Sequence, residues 1–466
     1  MGPPKRDDPM ASSPAAAASP APGTARELAV LILAAGKGTR MKSSRAKVLH
    51  EIAGRPMLGF PLAVAESLGA ARLVVVIGRD AELVEDAFRG RARFVLQAEQ
   101  KGTGHAVLQC RDALQGFRGD VLILYGDTPL LRAQTIHRMQ AHRAATGADL
   151  VMLTGGMRVP GIVVRGADGR VARVVEATDA TAEELRITEF NTGVYLVDQD
   201  FLWKALAQVD DRNAQGEIYL TRIVDIGVRE GRRIEAIRLE DDDESLGVNT
   251  RRELAQAAQV IRRRKNEALM AAGVSFVDPA AAYLDVDVEV GPDSVIEPGC
   301  VITGPTRIGA RAHVRAHSVI ESSELGDDVV IGPMAHLRPG TRLGAKVRVG
   351  NFVEVKNSVL GEGVKADHLS YIGDADVGAG ASFGCGTITV NYDGVAKHRT
   401  TVEEGVFVGC NSNLIAPLTL HRDAYVAAGS TVTQDVPAES LAVARERQRN
   451  VEGWRRRAGK GRKKHE

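Results

Sequence analysis

The chain has 466 residues, enough for two or three domains, and is 44% hydrophobic but only 4% aromatic, so its cores must be aliphatic. Its 60 Lys and Arg nearly cancel its 59 Asp and Glu, which excludes a global electrostatic pull toward nucleic acid while leaving room for local patches. Cys110, Cys300, Cys385 and Cys410 form no Cys-x-x-Cys pair, which speaks against a zinc site or a disulfide framework and fits a reducing cytoplasm.

Residues 1–25, rich in Ala, Pro and Ser and without an apolar signal core, are expected to be a disordered extension. No later apolar run approaches the roughly 20 residues that span a bilayer. From 26 to 248, short apolar runs alternate with helix-like stretches: "LAVLILAA", "RLVVVIG", "DVLILYGD", "ADLVMLTG" and "NTGVYLV". These runs lack strict alternation, as strands covered on both faces do, and predict an α/β domain with a mostly parallel sheet. Residues 249–273 read as one charged linker helix.

Beyond it the pattern changes. Aliphatic residues recur every six positions at Leu284, Val290, Ile296, Ile302, Ile308, Val314 and Ile320, then at Leu325, Ile331, Leu337, Leu343, Val349 and Val355. Further slips give Leu360, Ala366, Ile372, Val377 and Phe383, and the series resumes at Val408, Leu414, Leu420, Val426 and Val432. A triangular coil with six residues per face has this period, each face pointing one aliphatic residue inward. The pattern predicts an all-β, left-handed parallel β-helix over 274–445, of about seven turns. A stretch at 390–405, "VNYDGVAKHRTTVEEG", should loop outside the prism, and 446–466 should be a solvated basic tail.

The loop "LAAGKGTRM" follows the first buried strand, where open α/β sheets bind nucleotides, and glycine lets backbone N–H groups approach a phosphate. Alone it matches neither GxGxxG nor GxxxxGK[ST], and a solvated basic loop reads equally well. "QAEQKGTGHA" offers amides for a base, and "VLILYGDTPL" puts Asp127 at a strand end, where one carboxylate suits Mg²⁺ or caps the next helix.

These stretches together with "AKVLHEIAGRPM", "EFNTGVYL" and "GVNTRREL", followed by hexapeptide repeats, resemble the bacterial bifunctional N-acetylglucosamine-1-phosphate uridylyltransferase / glucosamine-1-phosphate N-acetyltransferases over about residues 27–455. The resemblance implies a Rossmann-like nucleotidyltransferase domain in which Leu33, Ala34, Ala35 and Gly36 line the nucleotide. It implies that Gly38 and Arg40 hold the UTP triphosphate and that Lys47 reaches the reacting phosphates, Arg40 and Lys47 both counting as catalytic. Gln97, Gln100, Gly102 and Thr103 would read uracil; Tyr125, Gly126, Glu176 and Asn191 would face the sugar; Asp127 and Asn249 would hold Mg²⁺. The family's Gly-Tyr-Gly-Arg-like stretch is replaced here by the shorter "LTGGMRVPGIVVRGADGR", in which Gly161 is the best positional match, and Ala46 replaces a proline before Lys47.

Within the repeats, polar clusters interrupt the pattern: "HLRPG", "GNFVEVK", "ADHLSYIGD" and "TVNYDG". A bare scaffold needs none of them, although a lone histidine on a turn commonly faces solvent. His368 lies two faces beyond Lys356, so neighbouring turns or chains could bring these clusters together. The resemblance makes His368 the general base and assigns the acetyl acceptor to Arg338, Lys356 and Tyr371, with Glu354 and Ser382 beside them. It places acetyl-coenzyme A near Cys385, Asn391, Tyr392, Cys410, Ala428 and Arg445, in a groove between prisms of a homotrimer. Ser382 and Cys410 stand where the family often has Asn and Ser. Two other readings compete: a single-activity sugar-1-phosphate nucleotidyltransferase with a structural β-helix, and a non-catalytic scaffolding subunit. His368 with Lys356 and Tyr371 speaks against the first, and the presence of Lys47 and Asp127 against the second.

Overall fold

A computed structural model describes residues 26–157, 161–213 and 215–458; the extension expected at 1–25, part of the altered sugar segment (158–160) and the end of the basic tail lie outside these residues. The described residues form two compact units, one of 26–36, 62–125 and 132–240, the other of 37–61, 126–131 and 241–458.

The first unit is built on a sheet whose central strands run in the order Ile234–Arg238, Leu150–Gly155, Phe190–Asp198, Gly119–Tyr125, Glu27–Leu33, Arg72–Ile77, Arg93–Leu96. Pairing is parallel except around Phe190–Asp198, which runs antiparallel to both neighbours. Gly161–Arg165 and Val171–Glu176 add an antiparallel hairpin, docked where Phe190 pairs with Ile162. The apolar runs are buried without alternation, as in Ala29–Ile32 and Val121–Leu124, because both faces of these strands are covered. Strand ends converge on the turns that follow Leu33, Ile77 and Tyr125, and sites in such sheets lie at those ends.

In the second unit, helix Arg251–Ala271 opens with a capping box: the Thr250 hydroxyl accepts the Glu253 N–H while the Glu253 carboxylate accepts the Thr250 N–H. Its inner face, Ala257, Val260 and Ile261, joins Val248, Ile52, Met57, Phe60 and Leu130 in one apolar cluster. The 37–61 segment is also tied to the start of the repeats, since Ala53 O accepts the Val286 N–H (3.1 Å) and Arg55 pairs with Asp287 (2.6 Å).

The repeats coil into three parallel sheets of 10, 9 and 8 strands among the described residues, so the prism exceeds the expected seven turns. The extra turns lie inside the expected 274–445: Ser275–Phe276, Ile388–Val390, Thr400–Val402 and Leu441–Ala442 are faces that the six-residue series does not count. The residues of the six-fold series point inward and stack as ladders, Ile296, Val314, Ile331 and Val349 on one face and Ile302, Ile320, Leu337 and Val355 on the next. Each fully buried aliphatic side chain contributes about 1.5–3 kcal/mol, which is how a domain with few aromatics is held. The excursion is shorter than the sequence suggested. Thr400–Val402 has already rejoined a face, with Val402 buried and Thr401 paired to Asp376, so the loop ends before it. No helix among the described residues is long and apolar enough to cross a membrane.

Candidate active sites

In the first unit, Leu33 and Ala35 are buried, Ala34 is half-buried and Gly36 is exposed as the chain leaves its strand. Ala34 N–H donates to Val76 O (2.8 Å), and a side chain at Gly78 would strike Ala35 O at 2.6 Å and the Gln100 amide at 3.0 Å. Gly78, passed over in the sequence, therefore lets the turn at Ala35 and Gln100 close over the neighbouring strand end; its signal was a glycine at the end of "RLVVVIG". Gln97 is buried, and its amide donates to Gly102 O (3.1 Å). Gly104 N–H donates to Ile218 O and Leu220 N–H to the Thr103 hydroxyl, so the 97–104 turn is held against 218–220.

The residues expected at the sugar form a second group. Asn191 is buried; its amide donates to Tyr195 OH (2.6 Å) and its carbonyl accepts the Gly193 N–H (3.1 Å). A side chain at Gly161 would meet the Asn191 side chain at 3.3 Å. Tyr125 packs on Gly193, whose φ of 83° and missing side chain are both required there: a methyl group would come within 2.5 Å of the Tyr125 ring. Gly193→Ala should destabilise the unit by about 2 kcal/mol, from left-handed strain plus overpacking, and a thermal melt should show the lowered midpoint. Glu176 lines a separate cleft of about 240 Å³ with Arg173, Asp179 and Tyr219. Burial pushes its carboxyl above the ordinary value, and the Thr221 hydroxyl donates to it (3.3 Å).

Lys47 organises the candidate site in the second unit. Its ammonium, almost fully buried, donates to Asp127 Oδ2 at 2.5 Å and to Asn249 Oδ1 at 3.0 Å. Each partner is fixed by its own backbone. Asp127 O accepts the Val248 N–H (2.8 Å), and the Asn249 N–H donates to the Glu253 carboxylate of the capping box (2.7 Å). Gly38, at φ 61°, makes room for the lysine stem, because a side chain there would meet Lys47 Cβ at 2.7 Å. Arg40 is exposed on the turn that follows; against the opposing effect of burial, the hydrogen bonds from Asn249 and Thr250, with a smaller part from the Arg40 charge, hold the Glu253 carboxyl below its ordinary value. Gly126 leads into Asp127.

On the prism the expected acceptor residues divide between two faces. Arg338 and Glu354 pair at 2.9 Å, and Glu354 registers with Tyr371 on the same sheet. The Asn391 amide donates to Asp374 (2.5 Å) and to Tyr371 OH (3.4 Å), so Asn391, expected at the coenzyme, stands with the acceptor group. Lys397, on the excursion and not singled out from the sequence, lies against Lys356, and the contact between these two like groups holds Lys397 below the ordinary lysine value. Two ammonium groups this close make a site for an anion. Tyr392 is exposed, its hydroxyl donating to Gly394 O (2.7 Å).

His368 and Ser382 lie on the adjoining face, across a ridge of exposed Met334, Phe352 and Leu369. His368 registers with Asn351 one coil below, and Nδ1 bonds the Asn351 carbonyl oxygen at 3.1 Å. An amide oxygen only accepts, so Nδ1 carries a proton, and in the neutral ring the lone pair then falls to Nε2. Asn351 was missed because its partner is one coil away rather than nearby in sequence. The register Lys365↔Ser382 and Tyr371↔Ile388 sets Cys385 directly above His368. Ser382↔Phe407 and Ile388↔Asn413 set Cys410 above Cys385, and Phe407↔Tyr425 with Asn413↔Thr431 set Ala428 above Cys410. Arg445 donates to Ala428 O at 2.9 Å. One straight column thus runs Asn351, His368, Cys385, Cys410, Ala428.

A family model described as the MobA-like NTP transferase domain matches residues 30–191, bacterial transferase hexapeptide (six repeats) matches 287–322, and hexapeptide repeat of succinyl-transferase matches 399–434. The bifunctional protein GlmU of Pelobacter propionicus is 50% identical over 450 residues, covering 92% of this chain and 98% of its own length. That of Trichlorobacter lovleyi is 50% identical over 448 residues (91% and 97%), and that of an Exiguobacterium species 47% over 446 (92% and 99%). With a nucleotidyltransferase match in residues 30–191, hexapeptide repeats in 287–322 and 399–434 and half its residues shared along nearly the whole length, the chain belongs to the bifunctional GlmU family of uridylyltransferase/acetyltransferase enzymes.

Proposed function

We propose that this chain makes UDP-N-acetylglucosamine in two steps, residues 274–445 acetylating glucosamine-1-phosphate from acetyl-coenzyme A and residues 26–248 joining the product to UTP with release of pyrophosphate. The observation that carries this reading is the placement of Lys47 between Asp127 and Asn249. Joining two phosphates brings like charges together, and a protein aids it by positioning and by placing cations. Gly38, Arg40 and Lys47 supply those for UTP; Gln97, Gln100, Gly102 and Thr103 meet the base; Tyr125, Gly161 and Asn191 meet the sugar.

Asp127 and Asn249 fit Mg²⁺, since a carboxylate and an amide oxygen already converge on one cationic point, and Mg²⁺ binds through one or two carboxylates, waters and substrate phosphates. When bound it neutralises phosphate charge. Chelating divalent metal should abolish pyrophosphate release from UTP and leave thiol release from acetyl-coenzyme A unchanged. Pyrophosphate release that ignores metal overturns the Asp127 and Asn249 assignment.

On the prism, His368 Nε2 takes the proton of the sugar amine as it attacks the thioester, while Arg338, Lys356 and Lys397 hold the phosphate. The coenzyme arm follows the column above His368, so no cysteine needs to carry the acetyl group. Groups on two faces of a ridge diverge, and a substrate touching both needs a wall from another copy. That divergence supports a homotrimer with the acetyltransferase site between copies. A cytoplasmic location fits substrates that are nucleotides and coenzyme thioesters.

A further inference from the structure

The two exposed cysteines are next-coil neighbours on the column that begins at His368. Asn411 N–H donates to Cys385 O (2.7 Å) and Gly429 N–H to Cys410 O (2.7 Å), so the stack is tight on both sides of Cys410. Adjacent strands lie about 4.8 Å apart, inside the range of about 4.4–6.8 Å between Cα atoms that a disulfide accepts. The remaining cysteines cannot compete. Cys110 and Cys300 are buried, and burial pushes the Cys110 thiol up to about 12.

We propose that Cys385 and Cys410 form a reversible thiol switch that closes the coenzyme groove when oxidised by a small-molecule disulfide. One thiolate attacks the disulfide RS–SR, forming a mixed disulfide and expelling RS⁻. The second thiolate attacks the protein sulfur of that bond and expels the other RS⁻. Two protein thiols are oxidised, one small disulfide is reduced to two thiols, and the two protons pass to the departing thiolates. The bond welds two coils directly above the general base, where the coenzyme arm is read to lie, and a thiol pool reopens it by the reverse exchange. The proposal rests on that reading of the column as the coenzyme path.

The test exposes the whole protein to oxidised glutathione, quenches with acid and maps disulfides by mass spectrometry, with both activities assayed in parallel. The expected result is a Cys385–Cys410 linked peptide, loss of acetyl transfer with uridylyl transfer retained, recovery on adding dithiothreitol, and slower linkage when acetyl-coenzyme A is present. Cys385→Ser and Cys410→Ser, read only by mass, should each keep the glutathione adduct on the remaining thiol because no neighbour resolves it. Wild type that keeps the adduct with no linked peptide, or a linked protein with undiminished acetyl transfer, overturns the switch. Acetyl transfer lost in His368→Ala while no linkage forms would overturn the switch and leave the site reading standing.

Discussion

Uridylyl transfer in Lys47→Ala should fall by about a hundred- to a thousandfold, the scale of removing one preorganised donor from a developing anion. Two effects combine. The variant loses the cation expected at the reacting phosphates, and it leaves the Asp127 carboxylate and the Asn249 amide oxygen facing each other without the charge that held them at 2.5 and 3.0 Å. Steady-state pyrophosphate release measures the loss, and turnover resembling wild type would refute the assignment. A second readout follows from the same geometry: with its internal cation gone, the pair should bind Mg²⁺ more tightly in the absence of nucleotide, which titration calorimetry can follow. Acetyl transfer by the same preparation should be unchanged.

Removing the proposed general base is the larger test of the prism. His368→Ala should lower acetyl transfer by about 10²–10⁴-fold, the usual contribution of positioned proton transfer. Nε2 is the atom that matters, because the Asn351 carbonyl engages Nδ1. Asn351→Ala should therefore reduce the same rate more modestly, by freeing the ring to adopt the wrong tautomer or orientation. Thiol release from acetyl-coenzyme A, followed with saturating sugar phosphate, distinguishes the two variants. A signal untouched by His368→Ala would remove the base from the mechanism.

The prism was legible in the sequence because each face imposes the same demand, one inward aliphatic residue every six, and slips in the count mark corners. Its number of turns was not, since Ser275–Phe276 and Leu441–Ala442, within the expected 274–445, each form a face outside the regular series. The excursion was drawn too long because Thr400 and Thr401 disguise a strand whose inward residue is Val402. Lys47, Asp127 and Asn249 could be named from motifs, but their convergence could not, with 80 residues between the first two and 202 between the first and third. Asn351 and Lys397 escaped for a related reason: in a coil, the nearest neighbour of a side chain is one full turn away, and in Lys397 it is reached from a loop.

The stitching of Ala53 and Arg55 to Val286 and Asp287 bears on how this polypeptide can be divided. A fragment ending where the long helix ends would retain every residue named for uridylyl transfer yet lose the rung on which the lysine-bearing segment rests. Shear along the first coil would reach Lys47 through only a few peptide bonds. The opening rungs of the prism are therefore bedding for the proposed phosphate site as well as the foundation of the proposed acetylation wall.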